Sequence, residues 1–237
     1  MKNIKKYIKL LKYGLQTRTM VILSVFFIGL GILYEFMDVA PNSMIPFSGM
    51  YLGIAGMYIY QVVITSSVSA LVQVSPLKKK LQCGLPVLFT TFTLLITYTL
   101  FLVIRLCYGM NRTLSENPAA DTTIYYVNVV CTAVLIAFIF LYFSFSYRYY
   151  IASTIALCVI LIPVLLITMR TGWPFTDSII AFTGRVIDSC GKAVIIIAGY
   201  LIVLAGAGLC YLFNMALYRK PLNNIAFRAA LRQAQNK

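Results

Sequence analysis

Side chains able to do chemistry are scarce in this sequence. There is no histidine among 237 residues, and the acids number only six: Glu35, Asp38, Glu116, Asp121, Asp177 and Asp188. General acid–base catalysis leans on His or on carboxylates set within hydrogen-bond reach of substrate, and no H-E-x-x-H or paired-glutamate motif occurs. The cysteines are Cys83, Cys107, Cys131, Cys158, Cys190 and Cys210, with no C-x-x-C pair. Without His, a zinc site needs four of them to converge. Most lie in apolar runs, where Cys behaves as a small hydrophobe. A disulfide between Cys107 and Cys190 is left open, since both fall near one predicted face. The nearest approach to a phosphate loop is Gly184 to Ala193. It has six residues between Gly184 and Gly191 where a P-loop has four, and Ala193 follows Lys192 where a Ser or Thr must hold Mg²⁺. No catalytic, cofactor or metal site of the chain's own is expected, and no ATP hydrolysis by it.

The remaining polar groups sit inside apolar runs. Gln61, Thr65, Ser69 and Gln73 recur at i+4 steps, beside Gly49, Gly53 and Gly56. Small residues let membrane helices approach closely, and a polar stripe either bonds across helices or lines a polar path. Asn128 and Asn214 carry the same two readings, with helix contact favoured over substrate contact for all of them. No acid falls mid-run, which disfavours the carboxylate relays of proton- or sodium-driven transport.

These residues need a membrane scaffold to position them. The chain is 61% hydrophobic and only 11% charged, against roughly 45–50% and about 25% in soluble domains. A helical span takes about 20 apolar residues. Six stretches qualify: Met20 to about Phe36, Phe47 to Val74, Val87 to Cys107, Thr123 to Ser146, Tyr149 to Met169 with a break at Pro163, and Ala193 to Leu217. The expected fold is therefore an all-α integral membrane protein. Residues 1–19 form a basic amphipathic interfacial helix, 20–218 the six-helix domain, and 219–237 a short tail. In the first segment Ile4, Tyr7, Ile8, Leu11 and Leu15 share one face and Lys2, Lys5, Lys6, Lys9 and Lys12 the other. Its length and the lack of an Ala-x-Ala site read as a retained helix rather than a signal peptide.

Charge orients the spans. With the N-terminus inside, 15 of the 20 Lys and Arg face the cytoplasm, and all six acids face out. The positive-inside rule selects this arrangement, with both termini cytoplasmic. It also accounts for the net charge of +14 without nucleic acid. The outer stretch from Arg170 to Lys192 is too apolar for a free loop and too short and charged to span. It is expected to be a re-entrant hairpin of one or two half-helices, entered at Trp173 and Pro174 and carrying Phe182; a surface amphipathic helix competes evenly with it.

The inner connection after the second span holds Ser75, Pro76, Leu77, Lys78, Lys79, Lys80 and Leu81. With the layout of helices, this S-P-x-K/R-K/R elbow resembles the type-2 ABC transporter permeases, mostly exporters. The resemblance covers nearly the whole chain as architecture. It implies a coupling helix at the elbow that docks on a separate cytoplasmic ATP-binding subunit, which carries ATP and Mg²⁺, with Leu77 and Leu81 as docking side chains. It also implies a second permease chain, identical or paired, in a bacterial plasma membrane. The small size and short loops are similar to exporters of peptides, bacteriocins or other amphipathic compounds. As a plain reading of charge, the three lysines touch anionic lipid. Alternatives are a non-transport assembly or immunity protein, an intramembrane enzyme, and the substrate-capturing subunit of an energy-coupling-factor importer. The last needs a small-residue seam in the first span, where only Gly29 and Gly31 occur.

Overall fold

The computed structural model describes residues 17–37, 45–66, 78–109, 118–168 and 174–223. The described residues are helical and contain no strand. In chain order the helices are α1 (Thr17–Met37), α2 (Phe47–Ser66), α3 (Leu85–Ile104), α4 (Pro118–Ser146), α5 (Tyr150–Thr168), α6 (Pro174–Cys190) and α7 (Lys192–Ala216). Five of the helical stretches are long and apolar enough to cross a membrane: those of α1, α2, α3, α4 and α7. Helix α5 runs for 19 residues, of which Tyr150–Ile160 is a shorter apolar stretch. The interfacial-helix residues Ile4, Tyr7, Ile8, Leu11 and Leu15, and also Ser69, Ser75, Pro76, Leu77 and Trp173, lie outside the described residues.

Contacts between helices give their directions. Ser24 donates to the Ala55 carbonyl at 3.1 Å, and Ser48 donates to Glu35 at 2.5 Å. Residue numbers rise on α1 as they fall on α2, so the two are antiparallel. The Tyr98 hydroxyl donates to the Val129 carbonyl, and Arg105 lies over the Tyr125 ring, so α3 and α4 are antiparallel. A Cβ on Gly199 would meet Tyr98 and Val129, and one on Gly206 would meet Ala137. The Phe145 and Phe213 rings meet at 5.2 Å. Numbers rise together along α4 and α7, which are therefore parallel.

Helix α4 is the centre of the bundle. Val129, Ala133, Ile136 and Phe140 are fully buried on it, at the 3–4-residue spacing that lines one helix face. They join Tyr60 and Leu52 of α2, Leu94 and Tyr98 of α3, and Val203 and Ala207 of α7 in one core. The outer faces of α1, α5 and α7 expose Ile22, Val25, Phe26, Ile155, Val159, Leu201 and Leu212, as a lipid-facing surface requires.

Three sequence expectations change. The break at Pro163 is absent, because the α5 backbone is helical through it. One proline deletes a single backbone donor, which membrane helices tolerate. The segment before the last span holds no hairpin turn in its described part. It is one helix, α6, resting against α4 and α7, with acidic Asp177 in its first turn where the helix dipole favours negative charge. Gly191, at φ 85°, makes the corner into α7, a conformation glycine adopts without a Cβ penalty. Third, the third span does not start afresh at Val87. Lys78 and Lys79 are already helical and run through a wide turn, Lys80–Gly84, straight into α3. In a regular helix the Pro86 ring would press on the carbonyl four residues back. Here the Leu85 N–H reaches the Lys80 carbonyl five residues back, a π-type widening that makes room before Pro86.

Candidate functional site

The basic residues after the second span converge on one end of the bundle. Within the Lys80–Gly84 turn, Leu81, Gln82 and Cys83 are buried while Lys79 and Lys80 are exposed and Lys78 is half-buried. The Cys83 thiol donates to the Asn214 carbonyl at 3.3 Å, tying the turn to the last turns of α7. Asn214 in turn donates from Nδ2 to the Tyr60 hydroxyl at 2.9 Å. The Tyr60 ring is stacked on Phe143 at 4.5 Å and on Tyr147 at 5.7 Å. The elbow, α2, α4 and α7 thus share one buried polar and aromatic node.

The short connection after α4 closes the same end. Arg148 donates from its guanidinium to the carbonyls of Tyr218 and Lys220. The Asn223 N–H donates to the Tyr147 carbonyl at 2.8 Å. The Lys220 ammonium sits 4.6 Å from the Tyr149 ring centre, a cation–π distance. Burial lowers the pKa of Arg148 from its ordinary value, since desolvation disfavours charge. Lys78, Lys79, Lys80, Arg148, Arg219 and Lys220 therefore gather around one end. After α7 the chain makes a tight turn at Leu217–Arg219 and leaves extended at Lys220, as Pro221 demands.

Leu81 requires a correction. It is 2% exposed and packs within its own chain, so it offers no docking surface. On a helix its neighbours three and four positions away share its face, and the face of this turn is filled by α2 and α7. Of the elbow, only Lys78, Lys79 and Lys80 are both described and accessible.

Of the other predicted polar residues, Gln61, Thr65, Asn128 and Asn214 are described. Thr65 donates to the carbonyls of Gln61 and Val62 in its own helix. Asn128 is fully buried in α4, and Asn214 belongs to the node above. The small face of α2 packs as its glycines imply. A Cβ on Gly49 would fall 2.7 Å from Thr132, and one on Gly56 would fall 2.8 Å from Leu94. Pro174 and Phe182 are exposed on α6. Cys107 and Cys190 are both exposed.

The opposite end holds a feature that the sequence reading left dispersed. Glu35 and Arg105 form an ion pair at 3.0 Å, each side chain 3% exposed. Ser48 donates to the second Glu35 oxygen at 2.5 Å, and the guanidinium lies 5.1 Å from the Tyr125 ring centre. One pair thereby ties α1, α2, the turn after α3, and α4. The signal was present, as opposite charges at the same end of two spans, but the charge count alone treats both as outer-face anchors. Glu35 is buried after all, near the end of α1, and an arginine holds it. Among the described residues no group of His, Cys, Asp or Glu is placed to hold a metal.

Comparison with family models, curated proteins and solved structures finds no match to this chain.

Proposed function

We propose that the chain is the membrane-spanning permease subunit of an ABC exporter, working in a bacterial plasma membrane with a separate ATP-binding subunit and a second permease chain. The observation that carries this reading is the continuity of the elbow. Exposed Lys79 and Lys80 lie in a helical stretch that runs unbroken into α3, and the Lys80–Gly84 turn is anchored on α7 by Cys83 and Asn214. A push on the lysines is delivered to two helices at once, which is what a coupling element must do. In this reading the energy source is external, and the partner subunit holds the nucleotide.

Six spans follow in this reading from the parallel pair. Helix α4 ends at the basic end, and α7 begins at the other. The chain between them has to recross, and α5, at about 1.5 Å rise per residue, is near the length that requires. Both termini then face the cytoplasm. The cargo class, a peptide, bacteriocin or other amphipathic compound, rests on the resemblance and on the apolar bundle.

The test is copurification from native membranes in mild detergent, with subunits identified and counted. A stoichiometric ATP-binding subunit and two permease chains are expected. Recovery of the chain at full yield with no nucleotide-binding protein overturns the proposal and favours the assembly or immunity reading.

A further inference from the structure

Beside the basic end, a groove of about 660 Å³ opens between the start of α3 and the last turns of α7. Its volume lies within the ~300–1,000 Å³ of ordinary small-molecule sites. One wall is Leu85, Val87 and Leu88, the other Ala207, Gly208 and Tyr211, with Lys80 at its end. A Cβ on Gly208 would meet nothing within 4 Å, and one on Gly84 would touch only the Tyr211 ring at 3.9 Å. The groove is therefore open where two glycines leave out side chains. It is apolar along its length, and its one charged lining residue, Lys80, is exposed. Lys79 is exposed next to it.

We infer that this groove binds one anionic glycerophospholipid, with an acyl chain along Leu85, Leu88 and Gly208 and the phosphate at Lys80. The charge pattern selects this occupant. A lipid of zero net charge gains less from a cation at the groove's end, because its own ammonium offsets its phosphate. A second copy of this chain would bring another strongly basic end toward the same lysines, and like charges brought together oppose association. An anionic headgroup near the surface is attracted to each lysine it meets. The inference depends on the membrane setting of the helices and not on the transporter reading.

The experiment is native mass spectrometry of the full chain released from nanodiscs containing equal phosphatidylglycerol and phosphatidylcholine. Wild type, Gly208→Trp, Lys80→Gln and Gly29→Trp are compared. Gly29 also has nothing within 4 Å of a Cβ but lies on α1, so it controls for adding a tryptophan to a lipid-facing helix. Wild type and Gly29→Trp should each retain one phosphatidylglycerol per chain. Gly208→Trp should lose it at unchanged circular dichroism, and Lys80→Gln, an exposed site unable to disturb the core, should weaken it about fivefold, as loss of one lysine near an anionic surface implies. Equal retention by wild type and Lys80→Gln, or equal retention of phosphatidylcholine, overturns the inference. So does a dimer of the Gly208→Cys variant that crosslinks at position 208 across two copies, because the groove is then a protein interface. A copurifying ATP-binding subunit would leave this result unaffected.

Discussion

Removing either partner of the Glu35–Arg105 pair is expected to be the most damaging single charge change in the bundle. The two side chains are 3% exposed and 3.0 Å apart, so neither ion recovers hydration when its partner goes. Their gross attraction is of order 4 kcal/mol at about 4 Å and an effective dielectric of about 20, and desolvation offsets much of it. The pair thus adds little net stability, yet breaking it strands a buried charge at about 3–5 kcal/mol. Glu35→Met also leaves the Ser48 hydroxyl without its carboxylate acceptor. The double variant Glu35→Met/Arg105→Met strands no ion, so it should lie within about 1–2 kcal/mol of wild type, far from the sum of the singles. Unfolding in mixed micelles at rising SDS fraction, followed by circular dichroism, measures all four proteins. A coupling energy of at least 3 kcal/mol is expected. Single variants that each lose under about 1 kcal/mol and add linearly would refute the burial argument, since only hydrated charges behave that way.

Gly206→Val should destabilise by about 1–3 kcal/mol in the same assay, because a Cβ there falls 2.7 Å from the Ala137 backbone; Gly29→Val, with open space around it, should be nearly silent. Asn214→Ala should lose about 1–3 kcal/mol, as the buried Tyr60 hydroxyl forfeits its donor. In intact cells, a membrane-impermeant maleimide should label exposed Cys107 and Cys190 from outside, and Lys79→Cys only after permeabilisation; labelling of Lys79→Cys from outside would invert the orientation. Buried Cys83 and Cys210 should resist the reagent until the protein unfolds.

Much of the scaffold was legible because lipid leaves a chain few options. Unbroken apolar runs must be helices, and those now seen as α1, α2, α3, α4 and α7 could be bounded by their flanking charges. Gly49, Gly53 and Gly56 announced a close contact, and they make one with Thr132, Ile139 and Leu94. What periodicity could not convey was partnership. Tyr60 and Asn214 are 154 positions apart, and nothing local marks either as half of a hydrogen bond. Glu35 and Arg105 were visible as outer charges, but their burial depends on how α1 and α3 pack. Leu81 was misplaced because an elbow was pictured as an exposed turn, whereas a widened helical turn before Pro86 buries that face. The amphipathic pattern of Pro174–Cys190 fitted one helix or two, and the stretch is one continuous helix.

The central claim is that the basic end meets an ATP-binding subunit, and a photo-crosslinker placed at Lys79 measures this most directly. Lys79 is exposed on the helical stretch that enters α3; exposed Phe182 on α6 serves as the control at a site remote from the elbow. After irradiation of native membranes, an adduct between position 79 and a nucleotide-binding protein is expected, with none from position 182. No nucleotide-binding protein captured from position 79, at an incorporation that leaves the chain folded and inserted, would contradict the proposal.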